Sequence, residues 1–459
     1  MRSSPHWGPE GVDVLRSLMW FTRDLRLDDQ PALRLAGEAD MLLCVFVVDP
    51  RWFRQTRWQS CPMGRHRWRF LWQSLHALDL ALRAYGQRLH VAWGEPASTI
   101  TSLAQRHGID HVFVSRQPGT EEESEREAVR QNLAGRAALH TLETLSALQQ
   151  ADLPFRIDAL PATFSQFRKA VESAGVAARP PQASPASLPP APGLAEDGRD
   201  SVPATDPAAP ALFRGGEQPA LERLAYYLFA SDRVASYKQT RNALDETDAS
   251  SRLSPWLANG SLSVRRTARE LARYEAERQR NESTYWLWFE LLWREYFHWY
   301  GIRYRNRLFT GSGVTGAGLR STFYPHRFRA WTEGNTEWPL VNACMNQLRE
   351  TGWISNRARQ IVASCFVNEL ELDWRYGAAW FQEQLVDYDV GSNWGNWQYL
   401  GGVGADPRGK RHFNLARQQE QFDPDGEFIA RWHGHSNNVT GLHTVDAADW
   451  PITPGKPIS

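Results

Sequence analysis

Between Thr351 and Tyr399 the chain sets Arg357, Arg359, Asp373, Asp387, Asp389 and two Asn-Trp pairs, Asn393-Trp394 and Asn396-Trp397, among helix-forming apolar residues. Charged and carboxamide side chains are rarely buried unless they are paired or hold something polar. Interleaved with tryptophan, they suit a pocket for a large, flat ligand with polar edges. An aromatic helical core with its charges on a wet face is the competing interpretation. Arg359 could pair with Asp387 or Asp389 around a ligand, while Asn356 and Asn393 each offer a donor and an acceptor. Trp374 and Trp397 could pass an electron between rings, chemistry that needs no acid or base.

Two further groups carry chemistry. Glu290, Trp293, Arg294 and Phe297 fall at i, i+3, i+4 and i+7 and so share one helix face. A carboxylate, an indole and a guanidinium on an apolar helix suit a planar, hydrogen-bonding substrate; a surface Glu–Arg pair is the plainer alternative. Ser250-Ser251-Arg252-Leu253-Ser254 precedes PWLANGSLS and sets three hydroxyls and successive amides ahead of a helix. That geometry favours an anion such as phosphate, though plain N-capping alone is the commoner outcome of such a pattern. Gly311-Ser-Gly313-Val-Thr-Gly316 matches GxGxxG but follows a helix and lacks a βαβ unit, so it is expected to be a flexible loop. No Ser-His-Asp arrangement, HExxH or Cys/His cluster stands out, so hydrolase and metal-centre chemistry have no support.

The elements that must position these residues fall into two halves. Short apolar runs at Ser17–Phe21, Met41–Val48, Arg88–Trp93 and 110–115 alternate with helical stretches at Pro31–Glu38, Pro62–Ala84 and after Gly94. Residues 14–150 therefore predict an α/β domain, a doubly wound parallel sheet whose ligands sit at the strands' carboxyl ends. No glycine-rich phosphate fingerprint follows the first strand, which argues against an ordinary dinucleotide site there. Residues 176–211 hold nine prolines, and 151–215 is assigned as a long Pro/Ala-rich interdomain linker. From Gly216 three-to-four apolar spacing predicts an all-α domain over 216–434, with 435–459 as a polar tail.

Composition sets the class. In 459 residues, 52 Lys+Arg balance 52 Asp+Glu, so no overall basic field announces nucleic acid. Twenty-one tryptophans, concentrated after residue 250, point to stacking surfaces or electron-transfer routes as well as core. Cys44, Cys61, Cys344 and Cys365 lack metal or disulfide spacing and are expected as reduced thiols. With no apolar run of membrane length and no signal-peptide core, a soluble cytoplasmic protein is expected.

Several ordered segments resemble one family. They are MWFTRDLRLDDQPAL, GGEQPALERLAYYL, YKQTRN, SSRLSPWLANGSLSVR, FELLWREYF, TGWISNRARQIVAS, LDWRYGAAWF and LVDYDVGSNWGNWQYLGGVGADPRGKRHFN. Together they are similar to the photolyase/cryptochrome family, most closely its DASH branch. The resemblance implies an α/β domain joined to a helical domain that holds FAD. It further implies that Tyr237, Ser250, Ser251, Leu253 and Ser254 cradle the FAD phosphates. Trp353, Asn356, Arg359, Asp387 and Asp389 would contact its rings, with Asn393 beside flavin N5. Trp397 and Trp374 would be the proximal and middle members of a photoreduction chain. Glu290, Trp293, Arg294, Gln360 and Tyr399 would line a dimer pocket, the last two being the DASH-type occupants.

The activity so implied is that of a deoxyribodipyrimidine photo-lyase: blue-light-driven repair of cyclobutane pyrimidine dimers by an electron from reduced flavin. The implied partner is single-stranded DNA, with RNA as a further candidate, acted on by a monomer with no membrane role. The alternative is a blue-light photoreceptor that binds flavin and nucleic acid or a protein partner without repair. Two positions depart from the family pattern. The outer tryptophan expected near Ser321–Phe323 is missing, with Tyr324 the nearest oxidisable substitute. Gln117 stands where a glutamate usually faces a folate antenna (5,10-methenyltetrahydrofolate).

Overall fold

The structure, a computed structural model, describes residues 14–192, 212–317, 322–405 and 411–435. Five strands form one parallel sheet: β1 (Arg16–Phe21), β2 (Met41–Val48), β3 (Leu89–Trp93), β4 (His111–Ser115) and β5 (Ala138–Leu142). Their order is β3-β2-β1-β4-β5. β1 is central, with Leu18 opposite Leu43 on one side and Val112 on the other. Being covered on both faces, β1 and β2 need unbroken apolar runs rather than alternation. Helices α1 (Pro31–Ala36), α2 (Arg65–Arg83), α3 (Pro96–His107) and α4 (Thr120–Asn132) cover the two faces. Met19, Phe21 and Cys44 pack toward α1 and α2; Leu18, Trp20 and Val45 pack toward α3 and α4. The chain is thus α/β in its first half, as its strand pattern predicts.

The expected linker contains structure. Helix α5 (Phe164–Ser173) sends Phe164, Phe167 and Val171 into the main core of the helical half. Beyond it the chain runs beside the sheet, where the Pro190 carbonyl accepts from Leu42 N and the Gln182 carbonyl from Asp29 N. The proline-rich stretch continues into 193–211, outside the described residues, as does the expected tail beyond His435.

The helical half starts with α6 (Glu217–Ala225), α7 (Tyr237–Thr240), α8 (Ser254–Asn259) and α9 (Val264–Glu277). The long α10 (Glu282–Tyr304) runs through its centre, followed by α11 (Pro325–Glu333), α12 (Pro339–Thr351) and α13 (Asn356–Ser364). Helices α14 (Trp374–Gln384), α15 (Val390–Leu400), α16 (Leu415–Phe422) and α17 (Glu427–Arg431) complete it. Gly311–Gly316 forms turns after a helical segment, and a Cβ at Gly313 would meet the Val403 carbonyl at 2.3 Å. It is a packed loop.

The polar RDLRLDD loop after β1 joins the halves. Buried Arg26 donates to the carbonyls of Gly260, Asp29 and Thr144 at 2.9 Å each. Arg265 pairs with Asp29 at 2.8 Å and Arg266 with Asp28 at 2.5 Å. Gly260 has φ +72° and lies so close to Arg23 that a Cβ would fall 1.9 Å from its carbonyl oxygen. Only glycine suits that position.

Candidate functional site

Three site helices begin on side chains that cap them. Ser355 accepts from Ala358 N at the start of α13, Asp373 from Arg375 N at α14, and Asp389 from Ser392 N at α15. Such caps satisfy amide groups a helix start leaves open. They fix where Arg359, Trp374, Asn393 and Trp397 point.

Arg359 and Asp387, expected as a pair, are one: Arg359 Nη2 lies 2.7 Å from Asp387 Oδ2. Ser254 Oγ donates to the same oxygen at 2.6 Å, tying α8 to the α14–α15 loop. Asp387 Oδ1 is buried with no partner, and so is the Trp353 indole N–H. Buried polar atoms left open in this way are costly, and here they are available to a ligand or an ordered water. The Arg252 guanidinium covers Trp353 at 4.5 Å, and Leu253 beside it is buried. The hydroxyls of Ser250 and Ser251 make no hydrogen bond to a described residue, while Arg223 holds both of their carbonyls, at 3.1 and 2.9 Å. Asn356 is exposed at the start of α13, and Tyr237 is buried.

Asp389 does not pair with Arg359. Burial pushes its carboxyl up, but Arg294, Arg23 and the Ser392 amide outweigh this and lower its pKa. Burial and the charge of Arg294 hold nearby His298 down, at about 3, so the imidazole is neutral. Asn393 is buried and donates its amide to the Ala378 carbonyl at 3.0 Å. Trp397 packs edge-on against Phe366 and Phe381 at 5.5 and 5.1 Å. Gly377 of α14 lets this ring in, since a Cβ there would fall 2.3 Å from the indole. Trp397 and Trp374 flank Gly401, and Trp374 meets Trp394 at 5.9 Å. Position 321 lies outside the described residues. Phe323 stacks on Tyr376 at 3.9 Å, and Tyr324 lies under the Arg327 guanidinium at 4.4 Å, a neighbour that disfavours positive charge on its ring.

On α10, Glu290 is bound by the Arg241 guanidinium, which also covers Trp286 at 4.8 Å. Burial pushes the Glu290 carboxyl up and Arg241 pulls it back, leaving it raised. Trp293 is held between Phe164, stacked at 3.8 Å, and Phe297 at 5.5 Å, with Tyr399 edge-on at 6.2 Å. Half-buried Gln360 follows Arg359 on α13. Arg294 turns to the domain junction, donating to the carbonyls of Leu145 at 2.8 Å and Leu257 at 3.3 Å. Arg241, Arg223 and Phe164 escaped the sequence reading; only the i, i+4 spacing of Tyr237 and Arg241 in YKQTR signalled one of them.

Residues 17–188 match the family described as DNA photolyase, and residues 286–452 match the FAD binding domain of DNA photolyase. The chain belongs to the photolyase/cryptochrome family. Cryptochrome DASH of Idiomarina loihiensis is 46% identical over 447 residues, covering 96% of this chain and 97% of that protein. The Vibrio parahaemolyticus Cryptochrome DASH is 44% identical over 441 residues, covering 95% and 97%. The solved cryptochrome of Synechocystis is similar with TM-score 0.88 and 37% identity, over 94% of this chain and 89% of that one. These likenesses put the chain in the DASH branch of the family.

Its cofactor is FAD, and the residues fit it. The open Asp387 oxygen, the open Trp353 N–H, the free serine hydroxyls and the Arg223-held loop supply acceptors and donors of the kinds that an adenine, a ribityl chain and phosphates would take. Tyr237, Ser250, Ser251, Leu253 and Ser254 would hold the phosphate side; Trp353, Asn356, Arg359, Asp387, Asp389 and Asn393 would hold the rings.

Proposed function

We propose that this DASH-branch protein repairs cyclobutane pyrimidine dimers in single-stranded DNA under blue light. The supporting observation is a partly open carboxylate, Glu290, held by Arg241 on the same helix face as Trp293 and next to the FAD cradle. Bound and reduced, FAD supplies a photo-excited electron. The chain's own residues do the rest. Glu290 accepts a hydrogen bond from a base of the dimer, Trp293 and Tyr399 wall the pocket with aromatic edges, and Gln360 adds a polar contact. Asn393, one N–H of its amide donating to the Ala378 carbonyl, would keep its carbonyl oxygen and its second N–H for the flavin edge. Trp397 and Trp374 form an inner relay for restoring the reduced cofactor, slow because the outer tryptophan expected near Ser321–Phe323 is missing. Gln117 leaves a folate antenna an amide instead of a carboxylate.

A pocket with Gln360 and Tyr399 is poor at drawing a base from a duplex, where extrusion costs on the order of a few kcal/mol. Illumination of the reduced protein with a dimer-containing oligothymidine, single-stranded and in duplex, should restore thymine absorbance on the single strand first. No recovery on either strand with FAD bound would favour a photoreceptor instead.

A further inference from the structure

We propose that Asp245 is a positioning residue for FAD, fastening the loop that carries Ser250 and Ser251 to helix α17. A photolyase and a photoreceptor both need FAD bound, so Asp245 has this part under either reading. The loop covers residues 241–253, between α7 and α8, and has no helix or strand of its own. Its conformation is therefore set by side chains. On one side Arg223 of α6 donates to the carbonyls of Thr247, Ser250 and Ser251 and pairs with Asp248 at 2.8 Å. On the other side stands Asp245. One of its carboxylate oxygens accepts from Gln347 of α12 at 2.7 Å; the other accepts from Arg431 at 2.8 Å and from the Trp432 indole at 3.0 Å.

Those three donors belong to one platform. Asn342 of α12 donates to the Gly434 carbonyl at 3.1 Å, and Asn346 to the carbonyls of Trp432 and His433 at 3.0 and 3.2 Å. These bonds seat the end of α17 on α12, and Phe428 and Ile429 of α17 are buried in the main core. From the platform the constraint reaches the cradle through Arg252. Its Nη2 donates to the Asp245 carbonyl at 2.9 Å, while its guanidinium covers Trp353 at 4.5 Å. Arg252 has φ +51°, a left-handed conformation that a non-glycine residue keeps only where its surroundings impose it. That strained residue stands between Ser251 and Leu253, so it sets how the serine hydroxyls and the amides after them face an anion. A carboxylate holds its donors more strongly than a neutral side chain does. Without Asp245 the loop keeps only its Arg223 side, Arg252 relaxes and the cradle loosens.

The test is FAD release from the purified holoprotein in the dark, followed by the rise in flavin fluorescence after dilution, with hydrogen exchange measured on the same samples. Asp245→Ala should release FAD about tenfold to a hundredfold faster, the loss of a charge-assisted cluster. Amides of residues 241–253 should exchange faster while those of α10, α13 and α15 stay protected, a pattern that a general loss of stability does not produce. Trp432→Phe should show part of both effects and add little to Asp245→Ala, because the two side chains act through one contact. Unchanged release from Asp245→Ala, or faster exchange spread evenly over the molecule, overturns the assignment of Asp245. Should Asp245→Ala fail to fold, Trp432→Phe decides by the same two readouts, and wild-type release and exchange overturn it. A Ser250→Ala, Ser251→Ala protein checks the cradle itself. Wild-type release from that protein means that the phosphate side lies elsewhere and the Asp245 proposal falls with it. Faster release there, beside an unchanged Asp245→Ala, removes the Asp245 proposal alone.

Discussion

At the scale of single residues, the site turns on a few buried charges that are only half satisfied by protein. Asp387 bonds Ser254 and Arg359 through one oxygen and leaves the other open. Asp387→Asn should therefore loosen FAD and leave Arg359 without its counter-charge, costing on the order of 2 kcal/mol given that Arg359 is partly exposed. Flavin-to-protein ratio after gel filtration and Tm check this. His298 gives a pH prediction. Its folded pKa, about 3, lies below the ordinary 6.5, so the unfolded chain binds the extra proton between those values. The stability it contributes is complete above about pH 6.5 and is lost as pH falls toward 3. Tm should drop across that window, and His298→Gln should flatten the drop. The Arg359–Asp387 pair was legible because an arginine and two aspartates crowd an apolar stretch. Arg241 was not, because one more cation in a polar loop looks solvated until Glu290 is seen against it.

At the scale of elements, α15 lies against α10 because two glycines let it. A Cβ at Gly391 would fall 2.4 Å from the Phe297 carbonyl oxygen, and one at Gly395 2.4 Å from the Phe297 ring. Gly395→Ala should cost about 1–3 kcal/mol by forcing the helices apart. It should also disturb Asn393 and Trp397, read as lower Tm and altered flavin fluorescence quenching. The strong strands were legible from unbroken apolar runs, but β5 was not: Ala138–Leu142 is a half-exposed edge strand with no apolar run. Helix α5 hid in a segment whose later prolines dominate its composition. The π-helical turns at Tyr226–Ala230 and Cys365–Glu369 left no sequence trace either. The second comes just before Trp374, and such turns are frequent at functional sites.

At the scale of the molecule, the two halves are joined by buried charge. Arg26 feeds three carbonyls from both halves, and the Arg265–Asp29 pair is almost fully buried. Asp29→Asn should cost about 3–5 kcal/mol by stranding Arg265. In denaturant it should split one transition into two, whereas Arg156→Ala, an exposed ion pair, should change nothing measurable. The RDLRLDD segment looked like a polar loop because composition cannot tell solvated charges from paired ones. No helix among the described residues is long and apolar enough to cross a membrane.

The central claim is that Glu290 belongs to a light-driven dimer-repair pocket. The measurement is thymine recovery from a single-stranded dimer substrate under blue light, comparing reduced wild type with Glu290→Ala at matched flavin content. The account predicts recovery by wild type and at least about a tenfold lower yield in the variant, the loss of one charge-assisted hydrogen bond. Equal recovery by both proteins, or none by either, would contradict it.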